Sequence, residues 1–336
     1  MQEQLLPGIS SPADLRALER NALPHLAQEI REKLIASIEK NGGHMASNLG
    51  VVELTIALHL CFESPRDALV WDVSHQCYTH KLLTGRAECF DTLRQSEGIS
   101  GFTNIDESEH DHFTTGHSST SVSAALGIAE AKRLQGDEHY AVAILGDGAL
   151  TGGLVYEALN NAGRSVAKLI VVLNDNEMSI SRNVGGLSRY LAKVRSQPEY
   201  RRSKQRVERG LRRVPGAGDL LAGGVAGMKK FVKRVLTDTT IFEQLGLDYI
   251  GPVDGHDIDS LCAALESAKL SPRPALVHVH TVKGKGFSCA EDAPEEYHGV
   301  SCSNQTSNDR DLHCAEDAPE EYHGVSCSNQ TSNGRD

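Results

Sequence analysis

The sequence predicts a doubly wound α/β fold, a mostly parallel sheet flanked by helices. Residues 140–146 (YAVAILG), 168–174 (KLIVVLN) and 274–282 (PALVHVHTV) are apolar runs without regular polar alternation, the pattern of strands buried on both faces. Segments with helical periodicity precede and separate them. The first two runs end in short polar motifs, GDG at 146–148 and NDN at 174–176, at the strand ends where open α/β sheets take their ligands.

Taken in order, residues 12–40 carry apolar positions at helical spacing, interrupted by Pro24 and stopped at Asn41-Gly42-Gly43, which predicts helix, turn, helix. Residues 50–62 (GVVELTIALHLCF) form another helix pattern, and 68–73 (ALVWDV) a short apolar strand. Residues 119–136 are expected to be a helix closed by Gly136, since glycine adopts the left-handed conformation that ends helices. A right-handed β-α-β crossover makes strands 140–146 and 168–174 neighbours. Asp147 and Asn176, 29 positions apart in the chain, are therefore expected to converge.

With 336 residues, the chain fits one large domain or two small ones. Apolar residues make up 39% and charged residues 24%, ordinary shares for a soluble globular protein, and no apolar run reaches the roughly 18 residues of a membrane span. The amino terminus has no basic head, apolar stretch or small-residue cleavage site, so a cytoplasmic location is expected, with no membrane partner. Cys61, Cys77, Cys89 and Cys262 are scattered without metal-ligand spacing and read as free thiols.

Cys289, Cys302, Cys314 and Cys327 belong to a repeat: residues 289–308 recur without change at 314–333. One exact copy is not a solenoid, which stacks several units on apolar faces. The expected organisation is a folded domain over 1–288 and an acidic, disordered duplicated tail over 289–336. That tail carries 11 acidic residues against two arginines, most of the net charge of −11. The reverse bias occurs at 188–235, with 14 Lys and Arg against three acids. No nucleic-acid recognition motif or aromatic interleaving accompanies it, so a solvated helical insertion is expected there rather than a nucleic-acid site.

A carboxylate, an amide oxygen and a nearby backbone carbonyl make a hard-oxygen site suited to Mg²⁺, which completes its octahedron with phosphate oxygens and water. Glycines let the chain turn sharply after the strand, and the start of the following helix offers amide donors to an anion. The pairing of GDG with NDN thus reads as a metal-bridged diphosphate site.

That pairing resembles the thiamine diphosphate motif. GGHMASNLGVVELTIALH, WDVSHQCYTHKLLTGR, GHSSTSVSAALGIA, GDGALTGGLVYEALNNAG, NDNEMSISRNVGGLS, FEQLGLDYIGPVDGHD and VKGKGFSCAEDAPEEYHGV resemble, in order, the amino-terminal domain of the 1-deoxy-D-xylulose-5-phosphate synthase family, over roughly residues 5–300. NDNEMSIS together with YIGPVDGHD separates that family from transketolase and the pyruvate dehydrogenase relatives. The resemblance implies a thiamine diphosphate-dependent and Mg²⁺-dependent transferase that condenses pyruvate with glyceraldehyde 3-phosphate with loss of CO₂, feeding isoprenoid and thiamine biosynthesis. It implies Asp147, Asn176 and the Met178 carbonyl as metal ligands. Gly148, Ala149, His75, Gly116, His117, Ser118, Asn176, Lys283 and Phe287 match cofactor-contacting positions, and His44, His117 and His298 match active-site histidines. Imidazole suits proton transfer near neutrality because its unperturbed pKa is about 6.5.

The sequence departs from the family at Ser74, Cys77 and Thr79, usually Gly, Ala and Pro, and at Phe287, usually tyrosine. Ser74, beside His75, is expected to narrow the cofactor entrance. Past residue 300 the family continues into a pyrimidine-binding domain, which supplies an activating glutamate, and a third domain. Here the acidic repeat follows instead. Three readings stay open: a subunit of a split synthase completed by a second chain, a truncated synthase, or a non-catalytic binding protein. A homo-oligomer is expected, since the family's cofactor cleft forms between domains.

Overall fold

The computed structural model describes residues 4–178, 185–196 and 240–301. Five strands, β1 (Ala68–Trp71), β2 (Ala141–Gly146), β3 (Leu169–Asp175), β4 (Asp248–Asp254) and β5 (Ala275–His280), form one parallel sheet in the order β1-β2-β3-β5-β4. Every residue of β3 is buried, as its unbroken apolar run requires of a central strand. β4 was not legible as an apolar run, because Gly251 and Pro252 interrupt it. Its edge position explains why the proline is tolerated there, since an edge strand has one side free of ladder bonds.

Alternate side chains point to opposite faces of the sheet, and each face has its own helical cover. Leu69, Trp71, Val142, Ile144, Ile170, Val172, Val277 and Val279 join one core with α1 (Pro12–Ala17), α2 (Leu23–Asn41), α3 (Met45–Leu49) and α4 (Val52–Cys61). Ala68, Val70, Ala143, Leu145, Leu169, Val171, Leu173 and Leu276 join a second core. That core is covered by α6 (Ser121–Gln135) and α7 (Gly153–Ala162), α6 following the short α5 (Tyr78–Lys81). Burying each such Val, Leu or Ile contributes about 1.5–3 kcal/mol, so two-sided burial is what holds the sheet. Three further helices, α8 (Gly186–Ser196), α9 (Ile241–Gln244) and α10 (Ile258–Lys269), lie between β3 and β5 in the chain, and α11 (Ser288–Asp292) follows.

The elements differ from the sequence reading in detail. Pro24 does not interrupt a helix; it lies in the first turn of α2, where its missing N–H has no intrahelical partner to lose. α6 ends at Gly136, whose φ of 72° is left-handed, as the sequence implied. Strand β1 stops at Trp71, and Val73 and Ser74 take φ of 57° and 71°. The described chain past residue 288 stays attached to the domain. Gly43 and Val300 exchange two backbone hydrogen bonds, at 2.9 and 2.7 Å, and the Ala46 N–H donates to the Tyr297 carbonyl at 2.9 Å. The start of the first repeat copy is thereby stitched to the loop carrying His44. The second copy, and the basic segment beyond residue 196, lie outside the described residues.

Candidate active site at the carboxyl ends of the strands

Strands β2 and β3 run in register with Gly146 opposite Asn174, and the Asp147 N–H donates to the Asn174 carbonyl at 3.0 Å. GDG and NDN are therefore adjacent, as the crossover argument required. Asp147 is 3% exposed and its Oδ1 accepts the Gly148 N–H at 3.0 Å. Asn176 closes the second turn, its Oδ1 accepting the Met178 N–H at 3.1 Å. Glu177, between them, has φ of 68°, a left-handed conformation costing a non-glycine residue about 1–3 kcal/mol and typical of functional turns.

These residues fit a metal-bridged diphosphate. A Cβ built on Gly116, Gly146 or Gly153 would meet nothing within 4 Å, so glycines from separate loops border open space at the sheet's carboxyl end. Gly153 opens α7, a ten-residue helix whose first amides lack intrahelical acceptors. Gly152 serves a different need: a Cβ there would lie 2.2 Å from Ser119 Oγ, so glycine permits the 119 loop to approach. Among the described residues no three His, Cys, Asp or Glu are grouped to hold a metal. The available donor set is instead one carboxylate, one amide and one carbonyl, which suits Mg²⁺ better than Zn²⁺.

Three of the predicted residues meet across sequence distances of up to 254 positions. The His44 ring lies 5.1 Å from that of His75 and 5.6 Å from that of His298, and His75 and His298 are 5.6 Å apart. Lys283 Nζ is 3.2 Å from His298 Nδ1, and the Ser47 hydroxyl is 3.5 Å from the same nitrogen. Burial, reinforced by His298, Arg94 and Lys283, pushes His44 down to about 4; burial, reinforced by His44 and His298, pushes His75 down to about 3. His298 is lowered by burial and by Lys283. Burial thus favours the neutral form of all three. The Lys283 ammonium, in turn, is lowered by burial against the opposing charges of Asp147 and Glu295. Lys283 thus contacts the histidine cluster through His298 and feels the charge of Asp147.

The other predicted residues lie differently. Gly116, His117 and Ser118 sit on an exposed turn, and among the described residues His117 joins none of these ring contacts. Its carbonyl accepts the Thr115 and Thr120 hydroxyls instead. Ala149 begins a short turn after Gly148, and its carbonyl accepts the Ser119 hydroxyl at 2.8 Å. Phe287 packs edge-on against Tyr297 with centroids 5.5 Å apart, a ring contact that anchors the segment bearing His298.

Several residues that position the site were missed in the sequence. Asn48, 0% exposed, donates from Nδ2 to the His44 carbonyl at 2.6 Å and to the His75 carbonyl at 2.8 Å, and accepts the Tyr78 N–H at 2.9 Å. It joins the two histidine loops; its place four residues after His44, facing the buried side of α3, was the available signal. Asp72, also buried, accepts the Ser119 and Ser121 amides at 2.8 and 3.0 Å and fixes the turn before α6. Asp175 accepts from His278 Nε2 at 2.9 Å, and His278 Nδ1 is 2.7 Å from the Tyr249 hydroxyl, so β4 and β5 brace the NDN turn. Ser74 does not narrow the entrance. It is fully buried, and its hydroxyl accepts the Thr103 N–H at 3.0 Å and donates to the Thr115 carbonyl at 3.2 Å.

The sequence profile described as 1-deoxy-D-xylulose-5-phosphate synthase matches residues 6–281. The chain belongs to that family. It is 53% identical over 296 residues to the 1-deoxy-D-xylulose-5-phosphate synthase of Desulforudis audaxviator, covering 88% of this chain and 47% of that protein. The synthase of Syntrophomonas wolfei is 53% identical over 298 residues, covering 89% of this chain and 47% of the relative. The chain thus spans about half the length of the curated synthases it matches. A transketolase structure from Campylobacter jejuni superposes with a TM-score of 0.60 at 23% identity, over 84% of this chain and 41% of that one. At that identity the likeness establishes the fold, a transketolase-like α/β architecture.

Proposed function

We propose that this chain binds the diphosphate end of thiamine diphosphate through Mg²⁺ and forms the cofactor-holding half of a 1-deoxy-D-xylulose-5-phosphate synthase. The observation that carries this is the adjacency of Asp147 and Asn176 on neighbouring parallel strands, beside open space bordered by glycines and the start of α7. Asp147, Asn176 and the Met178 carbonyl would hold the metal; Lys283, Gly148 and Ala149 would face the diphosphate, with Gly116, His117 and Ser118 across the cleft and Phe287 at its margin. When bound, the cofactor supplies the carbon nucleophile for a decarboxylating condensation of pyruvate with glyceraldehyde 3-phosphate. The neutral imidazoles of His44, His75 and His298 would hydrogen-bond the reacting oxygens, and proton transfer by them would require the bound state to bring their pKa nearer the operating pH, where general acid–base groups work best. Arg94 also lines a cavity of about 380 Å³ whose wall includes Phe102, 6.1 Å from the His44 ring.

The activating pyrimidine-side glutamate and most of the aldehyde-phosphate pocket would come from the part of the synthase beyond this span, on a second domain or chain, in a homo-oligomer or a split enzyme of the cytoplasm. Calorimetry tests the binding half: the wild-type chain takes up thiamine diphosphate only with Mg²⁺, and Asp147→Ala abolishes that uptake. Unchanged affinity in the variant rules out the metal assignment. Turnover tests the other half, with no product from the chain alone and recovery when the remaining domains are added in trans. Robust turnover by the purified chain, lost on His44→Ala, would overturn that half.

A further inference from the structure

His256 lies in the YIGPVDGHD stretch between β4 and α10, and Glu53 sits in the first turn of the largely apolar α4. Glu53 is 9% exposed, and its Oε2 takes two partners: Arg31 Nη2, from α2, at 2.7 Å and His256 Nδ1 at 3.1 Å. Both partners reach on to the loop that follows β5. The Val282 N–H donates to His256 Nε2 at 2.8 Å, and Arg31 Nε donates to the Lys285 carbonyl at 2.9 Å. Lys283 lies between those two grips. Gly286, with φ of 86°, makes room for the second, because a Cβ there would lie 2.7 Å from Arg31 Cδ.

The partners of His256 fix the place of its ring hydrogen. A backbone N–H can only donate, so Nε2 accepts, and the hydrogen of the neutral ring is on Nδ1, aimed at Glu53. An ionised carboxylate can only accept, which makes Glu53 the group that selects this tautomer. Burial opposes its ionisation, but His256 and Arg31 outweigh burial and hold the carboxyl below its ordinary range. A hydrogen on Nε2 would face the Val282 N–H donor to donor and strip the loop of that bond.

We propose that Glu53 and His256 are positioning residues for Lys283: the carboxylate orients the imidazole, the imidazole holds the Val282 amide, and the Lys283 ammonium is thereby kept 3.2 Å from His298 Nδ1. The inference rests on the proposed function only in giving Lys283 a diphosphate to face. Glu53 and His256 act on Lys283 through the backbone of 282–286. Hydrogen-bond partners that orient the ligands of a metal site carry about 10–100-fold in affinity or activity, and the lower figure suits a lysine set through one backbone bond.

Two NMR measurements on the cofactor-free full chain test this. Long-range ¹H–¹⁵N correlations of His256 should place the hydrogen on Nδ1; a hydrogen on Nε2 overturns the proposal, and this arm needs no substitution. His298 is lowered by burial and by Lys283, so its titration reads where the ammonium sits. His256→Ala should raise the His298 midpoint, and His256→Gln, whose amide oxygen can still accept from Val282, should restore it. A merely structural role would lower the urea midpoint of both variants with His298 titrating as in the wild type, and that result overturns the proposal. Calorimetry with thiamine diphosphate and Mg²⁺ reads the consequence: about tenfold weaker uptake in His256→Ala, and near wild-type uptake in His256→Gln. Equal affinity in His256→Ala and the wild type also overturns it. A wild-type chain that takes up no cofactor refutes the proposed function instead, and the two NMR arms still decide whether Glu53 and His256 set Lys283.

Discussion

Asn48→Ala isolates the contact that brings His44 and His75 together. The substitution removes three hydrogen bonds and leaves the His44 carbonyl, the His75 carbonyl and the Tyr78 N–H without their side-chain partner in a site 0% exposed. A net contribution of about 1 kcal/mol per bond gives a loss of about 3 kcal/mol, rising towards 5 kcal/mol if water cannot enter to replace the amide. Such a loss is large against the roughly 5–15 kcal/mol stability of an ordinary domain. Urea unfolding can be followed through the fluorescence of Trp71, the single tryptophan, which is buried on β1. The same variant should loosen the two loops, so His44 and His75, held at about 4 and about 3, should titrate nearer the ordinary histidine range when followed by NMR. A stability loss below about 1 kcal/mol with unmoved histidine titrations would refute the joining role.

Other outcomes follow from the same geometry. His80, fully buried and hydrogen-bonded to Asp111, is held at about 4, chiefly by burial. Below pH 6.5 the unfolded chain binds protons that the folded chain does not, so stability is complete above that pH and falls as pH drops towards 4. The loss is about 2 kcal/mol for His80 between pH 7 and 5, with His44 and His75 adding in the same direction; a flat urea midpoint over that window would contradict it. Gly163→Ala places a Cβ 1.7 Å from the Leu245 carbonyl oxygen, and the resulting separation should cost about 1–3 kcal/mol, measured by thermal unfolding. Ser74→Ala leaves the buried Thr103 N–H without its 3.0 Å acceptor and should cost about 1–3 kcal/mol, whereas a neutral effect would mean the hydroxyl is dispensable there.

The sequence by itself determined the sheet and the place of its site. Short apolar runs bounded by turn residues read as strands covered on both sides, and β2, β3 and, despite its two histidines, β5 were legible for that reason. GDG and NDN at the ends of two such runs put Asp147 and Asn176 together without coordinates, because a crossover of this length has one favoured hand. Edge strand β4 was not legible, since an edge tolerates the Gly-Pro break that pattern reading takes as a stop. Tertiary structure alone decided that residues up to Val300 belong to the folded unit, because two backbone hydrogen bonds to Gly43 carry no sequence signature. It also decided which histidines are partners: His44, His75 and His298 share no local pattern, and only packing lowers their affinity for protons. Asn48 and Asp72 escaped notice, and Ser74 was given the wrong place, for the same reason. Each acts on backbone groups brought close by the fold, and a backbone group has the same appearance in every sequence.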